Sequence, residues 1–403
     1  MLDDFPPTLA AAQARIAAVR PSAYARTRNA LDGAVTQLSP YITHGFVSLN
    51  DVLAGVASRH TLDVQHKLVY ELGWRAYFRH VWQQRGRAIL ESLHEGVLPE
   101  DAYLAKLPQD IRQGCTGVLV VDQAVQTLYR TGWLHNHARM WLASYVVHVR
   151  NVHWRCGADW LYGHLLDGDL ASNHLSWQWV AGTGSHKPYL FNAINVARYA
   201  PSAWHSPGSV IDTSYEHLDW LARTPRARPA GATREALGDE LNCEPPLLTE
   251  PEAGWGLTAP DANGVANRDV FLVHPWSLGA LPAALPTETV VIGVFAADFH
   301  RAWPWSARRW QFANSRMAEL TPLRWWGDAQ AVAAALRCAR RVRSVDEPHL
   351  WPWLPTWAAC EAAPALFPAV DRRCDSFSQW WARASRGLHS AQDLLSVNQV
   401  PAW

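Results

Sequence analysis

Apolar residues recur at helical spacing through the first two hundred positions, and the pattern then changes character. Leu9 to Val19 predicts one helix, and Leu68 to Gln83 predicts another with Leu72, Ala76, Phe78 and Trp82 on one side. A third runs from Leu134 to Val149, where Leu134, Ala138, Trp141, Tyr145 and Val149 form a stripe that reads as a core face. Long β-branched alternation is missing from about residue 5 to 205, so that stretch predicts a mainly helical domain.

From Arg223 to Asn267 the chain turns rich in Pro, Gly and Ala, the composition of a linker or surface excursion. The class of pattern then switches. Val270–His274 and Val290–Phe295 are short β-branched runs, Ser306–Leu320 is helix-like, Leu323–Trp326 strand-like and Asp328–Arg340 helical again. Strands alternating with helices predict a small parallel α/β unit. The expected organisation is therefore a helical domain over 1–210, a linker over 211–267 and an α/β domain over 268–403, with no internal repeat.

Composition narrows the class. With 403 residues, 49% hydrophobic and 18% charged, the chain has the length for two or three domains and the make-up of a folded globular protein. No apolar run reaches the roughly 20 residues that span a bilayer, and the acidic Met1-Leu2-Asp3-Asp4 lacks the basic head of a signal peptide, so a cytoplasmic protein is expected. Net charge is zero, with the first half slightly basic and the second slightly acidic, which permits a local basic surface without demonstrating one. Cys115, Cys156, Cys243, Cys338, Cys360 and Cys374 form no C-x-x-C pair, which disfavours a zinc ribbon and fits buried reduced thiols. Among 18 histidines, His135 and His137 lie two apart on a predicted helix, where they cannot face one ligand, and H-E-x-x-H spacing is absent. No metal, nucleophile elbow or phosphate loop is expected.

The densest signal is the Trp-rich run from Gly132 to Gly182. It opens on GW-x-HN-x-x-R-M, continues through a lone Trp and G-x-x-W, and passes from D-G-D-L-A-x-N into W-Q-W-x-A-G. This ordered series resembles the flavin-binding core of the DNA photolyase and cryptochrome family, with the likeness extending over about residues 20 to 200. The resemblance implies an α-helical FAD-binding domain, here followed by a small Rossmann-like α/β domain. It implies FAD as cofactor and light-driven repair of cyclobutane pyrimidine dimers in DNA, the alternative being a blue-light photoreceptor without repair activity. That family places an α/β antenna domain before the flavin domain, so the order looks inverted. VVIGVFAAD, ARRWQFANSRMAEL and PLRWWGDAQAVAAAL resemble its strand and helix order faintly. A rearranged antenna domain and an unrelated module both stand, and the antenna chromophore is unassigned.

The resemblance also assigns candidate residues. Tyr24, Thr36 and Ser39 match the segment that grips the diphosphate, where hydroxyls and helix N-terminal N–H groups meet negative charge. By itself Ser39-Pro40 reads as a helix N-cap followed by Pro. Asp167 is expected to pair with Arg139 beside the flavin ring, and Asp169 to accept from the ring or ribityl region. The structural alternative is a solvated Asp-Gly-Asp turn with Asp169 capping the next helix. Asn136, Asn173 and Arg75 are further cofactor contacts. Asn173 matters most, because an uncharged amide accepts a hydrogen bond from a protonated N5. Photolyases carry Asn at the matching place, whereas plant cryptochromes carry Asp and animal ones Cys.

Trp177 and Trp154 match the proximal and middle members of the family's electron-transfer chain. The stretch matching the distal member, PEDAYLAKLPQDIRQG, offers only Tyr103. Glu71 and Trp74, with Met140 and Trp179, match a pocket whose aromatic walls take a flipped-out lesion. A well-packed helix pair is the alternative. Ser185-His186-Lys187-Pro188-Tyr189-Leu190 departs from the family pattern, with Leu190 in the vicinity of a missing Arg.

Overall fold

The computed structural model describes residues 4–185, 187–225 and 244–397. His186, Cys243 and much of the Pro-rich stretch lie outside the described residues. Helices run in the order α1 (Leu9–Ala18), α2 (Pro21–Thr27), α3 (Ser39–Thr43), α4 (Leu49–Ala57), α5 (Lys67–Arg85), α6 (Gln109–Gln113), α7 (Leu119–Thr131), α8 (Asn136–Ser144), α9 (Trp154–His164), α10 (Leu170–Ala181), α11 (Ala193–Tyr199) and α12 (Tyr215–Arg223). Then come β1 (Leu247–Leu248), β2 (Asp269–Val273), β3 (Val290–Ala296), α13 (Ala297–Ala302), β4 (Trp305–Ser306), α14 (Ala307–Leu320), β5 (Arg324–Gly327), α15 (Ala329–Leu336), β6 (Arg341–Val345), α16 (Leu354–Trp357), β7 (Ala359–Glu361), α17 (Phe377–Ala384) and α18 (Ala391–Val397).

The chain divides into two compact units. A sheet unit comprises Met1–Ala25, Thr36–Gln84 and Leu247–Trp403, and a helical unit comprises Arg26–Val35 and Arg85–Pro246. These bounds do not coincide with the segments 1–210, 211–267 and 268–403. The stretch expected as linker itself holds α12 and β1.

In the sheet unit five parallel strands lie in the order β5-β3-β2-β6-β7. β2 and β3 read as continuous apolar runs because central parallel strands are covered on both faces. Ser306 and Asp328 N-cap α14 and α15, so each helix starts one residue inside its expected range. β6 escapes the hydrophobic pattern, since Arg-Val-Arg-Ser-Val buries only Ser344 while Arg343 pairs with Glu361 on β7. Strand order reverses between β2 and β6. Outside their carboxyl ends Trp276 stacks on His349 at 4.4 Å, and Glu347 accepts from Arg79 at 2.8 Å.

α5 corrects the expected face. Its buried residues are Leu68, Val69, Leu72, Gly73, Tyr77, His80, Val81 and Trp82, whereas Ala76 and Phe78 are half-buried. Two residues subtend about 200° on a helix, so 76 and 78 cannot share a stripe. Gly73 lets α17 approach closely: a Cβ there would meet Trp381 Cζ3 at 2.4 Å.

In the helical unit α8 and α10 pack on each other, and both touch α9. Leu134, Ala138, Trp141, Tyr145 and Val149 are all buried, as the stripe predicts. The helix is shorter than expected: α8 spans Asn136–Ser144 and gives way to a π-helical turn over Tyr145–Val149. The cysteine expectation also needs correction, because Cys115, Cys338 and Cys360 are exposed and, of the described thiols, Cys374 is the buried one. No helix among the described residues is long and apolar enough to cross a membrane.

Candidate functional site

α8 starts at Asn136 because His135 caps it, its Nδ1 accepting the His137 N–H at 3.1 Å. His135 therefore stands outside the helix, and its ring stacks on that of His137 with centroids 6.1 Å apart and planes 4° from parallel. Burial pushes both imidazoles down, His135 to about 4. No cluster able to hold a metal occurs among the described residues. One turn on, Arg139 Nη2 donates to both Asp167 oxygens, at 2.9 and 2.7 Å, while its Nε donates to Leu134 O at 2.9 Å. The Asp167 side chain is 3% exposed. Asn136 Nδ2 reaches Met140 Sδ on the same helix face at 3.5 Å.

The turn after α9 delivers Asp169, whose carboxylate accepts from Ser172 N–H at 2.8 Å and caps α10. One turn into α10, Asn173 Nδ2 donates to Ala158 O on α9 at 2.8 Å. That partner accepts only, so the amide orientation is fixed and Oδ1 is the end left to accept. Ser172 Oγ beside it is buried without a partner among the described residues. Trp177, 2% exposed, lies against the backbone of α9, where a Cβ at Gly157 would meet its ring at 2.3 Å.

Trp154, also 2% exposed, opens α9. Its indole N–H donates to Ser92 Oγ at 3.0 Å, Ser92 donates to Glu100 Oε1 at 2.5 Å, and His153 Nε2 lies 3.1 Å from Glu100 Oε2. Tyr103 sits edge-on to His153 at 6.1 Å, and His153 is 5.7 Å from Trp154. Ser92, Glu100 and His153 were not among the sequence candidates. Ser92 and Glu100 belong to short irregular and 3₁₀ segments with no periodicity, and the His153-Trp154 pair was their one available signal.

Tyr24, Thr36, Ser39, Arg75, Glu71 and Trp74 belong to the sheet unit. Tyr24 lies on α2, and Thr36 Oγ1 accepts from Leu38 N–H at 3.4 Å. Ser39 is already helical, with Leu38 at the N-cap and no side-chain cap, which corrects the reading of Ser39 as the capping residue. Arg75 donates to Thr43 Oγ1. Glu71 and Trp74 are half-buried on α5, and one face of the Trp74 indole is covered by Phe377 of α17 at 4.1 Å and 11°. Phe377 was not foreseen, because it lies three hundred residues downstream. Back in the helical unit, Lys187, Tyr189 and Leu190 line an open cleft of about 430 Å³ with Tyr215, Asp219 and Arg223. Trp179, 41% exposed, lies 5.8 Å from Tyr189, whose hydroxyl burial pushes up to about 12.

Residues 68–206 match the model of the FAD-binding domain of DNA photolyase. Over this stretch, about a third of its length, the chain is similar to the FAD-binding domain of DNA photolyases. Similar curated proteins include a cryptochrome DASH from Idiomarina loihiensis, 30% identical over 218 residues, and the deoxyribodipyrimidine photo-lyase of Escherichia coli, 33% identical over 208. The first match covers 50% of this chain and 48% of the relative, the second 45% and 39%. The chain thus spans less than half the length of these relatives. Among solved structures, a Synechocystis cryptochrome aligns over 47% of this chain and 43% of its own, at 28% identity and a TM-score of 0.42. The residues present fit the photolyase cofactor: a guanidinium paired with a buried carboxylate, an oriented amide with a spare acceptor and a hydroxyl without a partner among the described residues suit a heterocycle edged by N–H and carbonyl groups.

Proposed function

We propose that this protein is a light-driven, FAD-dependent enzyme that splits cyclobutane pyrimidine dimers in DNA. The observation that carries the reading is the Asn173 amide, held by Ala158 O with Oδ1 left to accept. An uncharged acceptor in that position matches photolyases rather than the cryptochromes that use Asp or Cys. When bound, FAD supplies light-driven one-electron chemistry, and the protein supplies orientation and electrostatics. Asp167, Asp169, Asn136, Asn173 and Arg139 of the helical unit would hold the cofactor. Asp167 keeps the Arg139 guanidinium fixed and neutralised, so that no unpaired charge is buried. Trp177 and Trp154 are the electron donors.

Glu71 and Trp74 on α5 would receive the extruded lesion. Trp74 keeps one face against Phe377, which holds the indole rigid as a wall. The same contact favours a second reading, a blue-light photoreceptor of cryptochrome type, if that wall serves only packing. The relatives carry both names.

One experiment separates them. Purified protein with fully reduced FAD is illuminated with blue light in the presence of dimer-containing single- and double-stranded DNA, and intact pyrimidines are counted. Restoration supports repair. Bound, fully reduced FAD without restoration sinks it and leaves the photoreceptor reading.

A further inference from the structure

The Trp154 indole does not end in a packed wall. Its Nε1–H points at Ser92 Oγ, and Ser92 in turn donates to Glu100, so two hydrogen bonds in series lead from a side chain that is 2% exposed to a carboxylate whose side chain is 67% exposed. His153 fixes the far end. Its Nδ1 accepts the Arg155 N–H at 3.2 Å, so in the neutral ring Nε2 carries the hydrogen and donates to Glu100 Oε2. Glu100 thus accepts from two sides and stays ionised, the Ser92 hydrogen bond holding its carboxyl below the usual range against a smaller opposing effect of burial. The Trp177 indole N–H makes no comparable bond among the described residues.

We propose that Ser92 and Glu100 form a proton relay for Trp154: when Trp154 gives up an electron, its Nε1 proton moves to Ser92 as the Ser92 hydroxyl proton moves to Glu100. This rests on the reading of Trp154 as an electron donor. The balance closes. Trp154 loses one electron to oxidised Trp177, the ultimate oxidant being light-excited oxidised flavin. The Nε1–H bond breaks and a Ser92 O–H bond forms, the old Ser92 O–H bond breaks and a Glu100 O–H bond forms. What remains is a neutral indolyl radical and a neutral carboxylic acid at the surface. An oxidised indole is a strong acid relative to the parent indole, and a carboxylate one hydroxyl away is its nearest base. Losing the proton removes the positive charge from a buried ring and traps the oxidised site on Trp154 rather than Trp177, because return of the electron then requires return of the proton.

Transient absorption after a light pulse distinguishes neutral from cationic indole radicals, and light-induced infrared difference spectra report a new carboxylic acid C=O band. In the parent holoprotein the neutral radical and a band that shifts with ¹³C-glutamate labelling are expected to rise together, more slowly in D₂O. Glu100→Gln and Ser92→Ala are expected to keep FAD but lose the band and retain a cationic radical that recombines faster. Ser92→Thr, which keeps the hydroxyl, restores both signals. Deprotonation at the parental rate in both Glu100→Gln and Ser92→Ala overturns the relay alone. Absence of any radical at Trp154 in the parent overturns the relay together with the electron-donor reading beneath it.

Discussion

In the sheet unit Trp305 and Trp310 lie 4.5 and 4.2 Å from His300, with Trp326 at 5.9 Å and the Arg309 guanidinium 3.9 Å over Trp305. In the helical unit Trp154 and Trp177 stand on separate helices, the one tied to Ser92, the other pressed on a glycine. The first arrangement is an aromatic core in which the Trp305 N–H and both His300 nitrogens have no partner among the described residues, a cost offset by packing. The second spends its tryptophans singly. An abundance of tryptophan therefore does not mark an electron path.

The sharpest break of this contrast is Trp310→Ala. Trp310 is fully buried, and the change is expected to cost about 3 to 5 kcal/mol by denaturant melting while light-driven Trp oxidation per folded molecule is unchanged. Loss of that oxidation in folded protein would show that the two clusters are not separate in function. Next is Asp167→Ala, which leaves Arg139 without its buried partner. A loss of about 3 kcal/mol, at the low end because Arg139 is 24% exposed, should accompany poor FAD retention. Normal flavin content in that variant contradicts the assignment.

Acid sharpens the comparison from another direction. Burial lowers His148 to about 4, so in the folded chain it stays neutral where the unfolded chain binds a proton near 6.5. The unfolded state is then favoured as pH falls: stability is complete above about 7 and lost progressively between about 6.5 and 4. At pH 5 the loss is about 2 kcal/mol. His148→Gln, which keeps a donor for Val180 O, should shrink the drop between pH 7 and pH 5 by that amount in paired urea melts. An unchanged drop assigns the acid sensitivity elsewhere.

Smallest is Trp74→Ala. A lesion wall predicts about 1 to 3 kcal/mol lost from binding to damaged DNA, against little change for intact DNA and for FAD absorbance. A variant that melts early yet discriminates damaged DNA as well as the parent makes Trp74 part of the core it shares with Phe377.

Much of this was legible because the informative contacts are local or strongly patterned. The Leu134–Val149 stripe and the apolar strands β2 and β3 each announce themselves within a few residues. Arg139 and Asp167, 28 residues apart, met only through the family motif, since no spacing rule joins a helix to a later turn. β6 stayed hidden because its Arg343 pairs laterally with Glu361 on β7, where a hydrophobic residue would have marked the strand. Phe377 and Ser92 stayed hidden because their importance is created by packing, Phe377 over Trp74 and Ser92 under Trp154. Leu104 is paired beside Val152, with Leu104 N–H on Asn151 O and His153 N–H on Leu104 O, and this clasp brings Tyr103 to His153.

Gly157 has no side chain and touches no charge, yet it sets how near α9 and α10 come at Trp177. In a saturation mutagenesis library it should behave as one of the least tolerant positions of the helical unit, since even alanine would put a methyl carbon 2.3 Å from the indole. Such a map would draw attention to a residue that chemistry never uses. Intolerance there would measure a spacing between helices, set by a residue that bears no functional group.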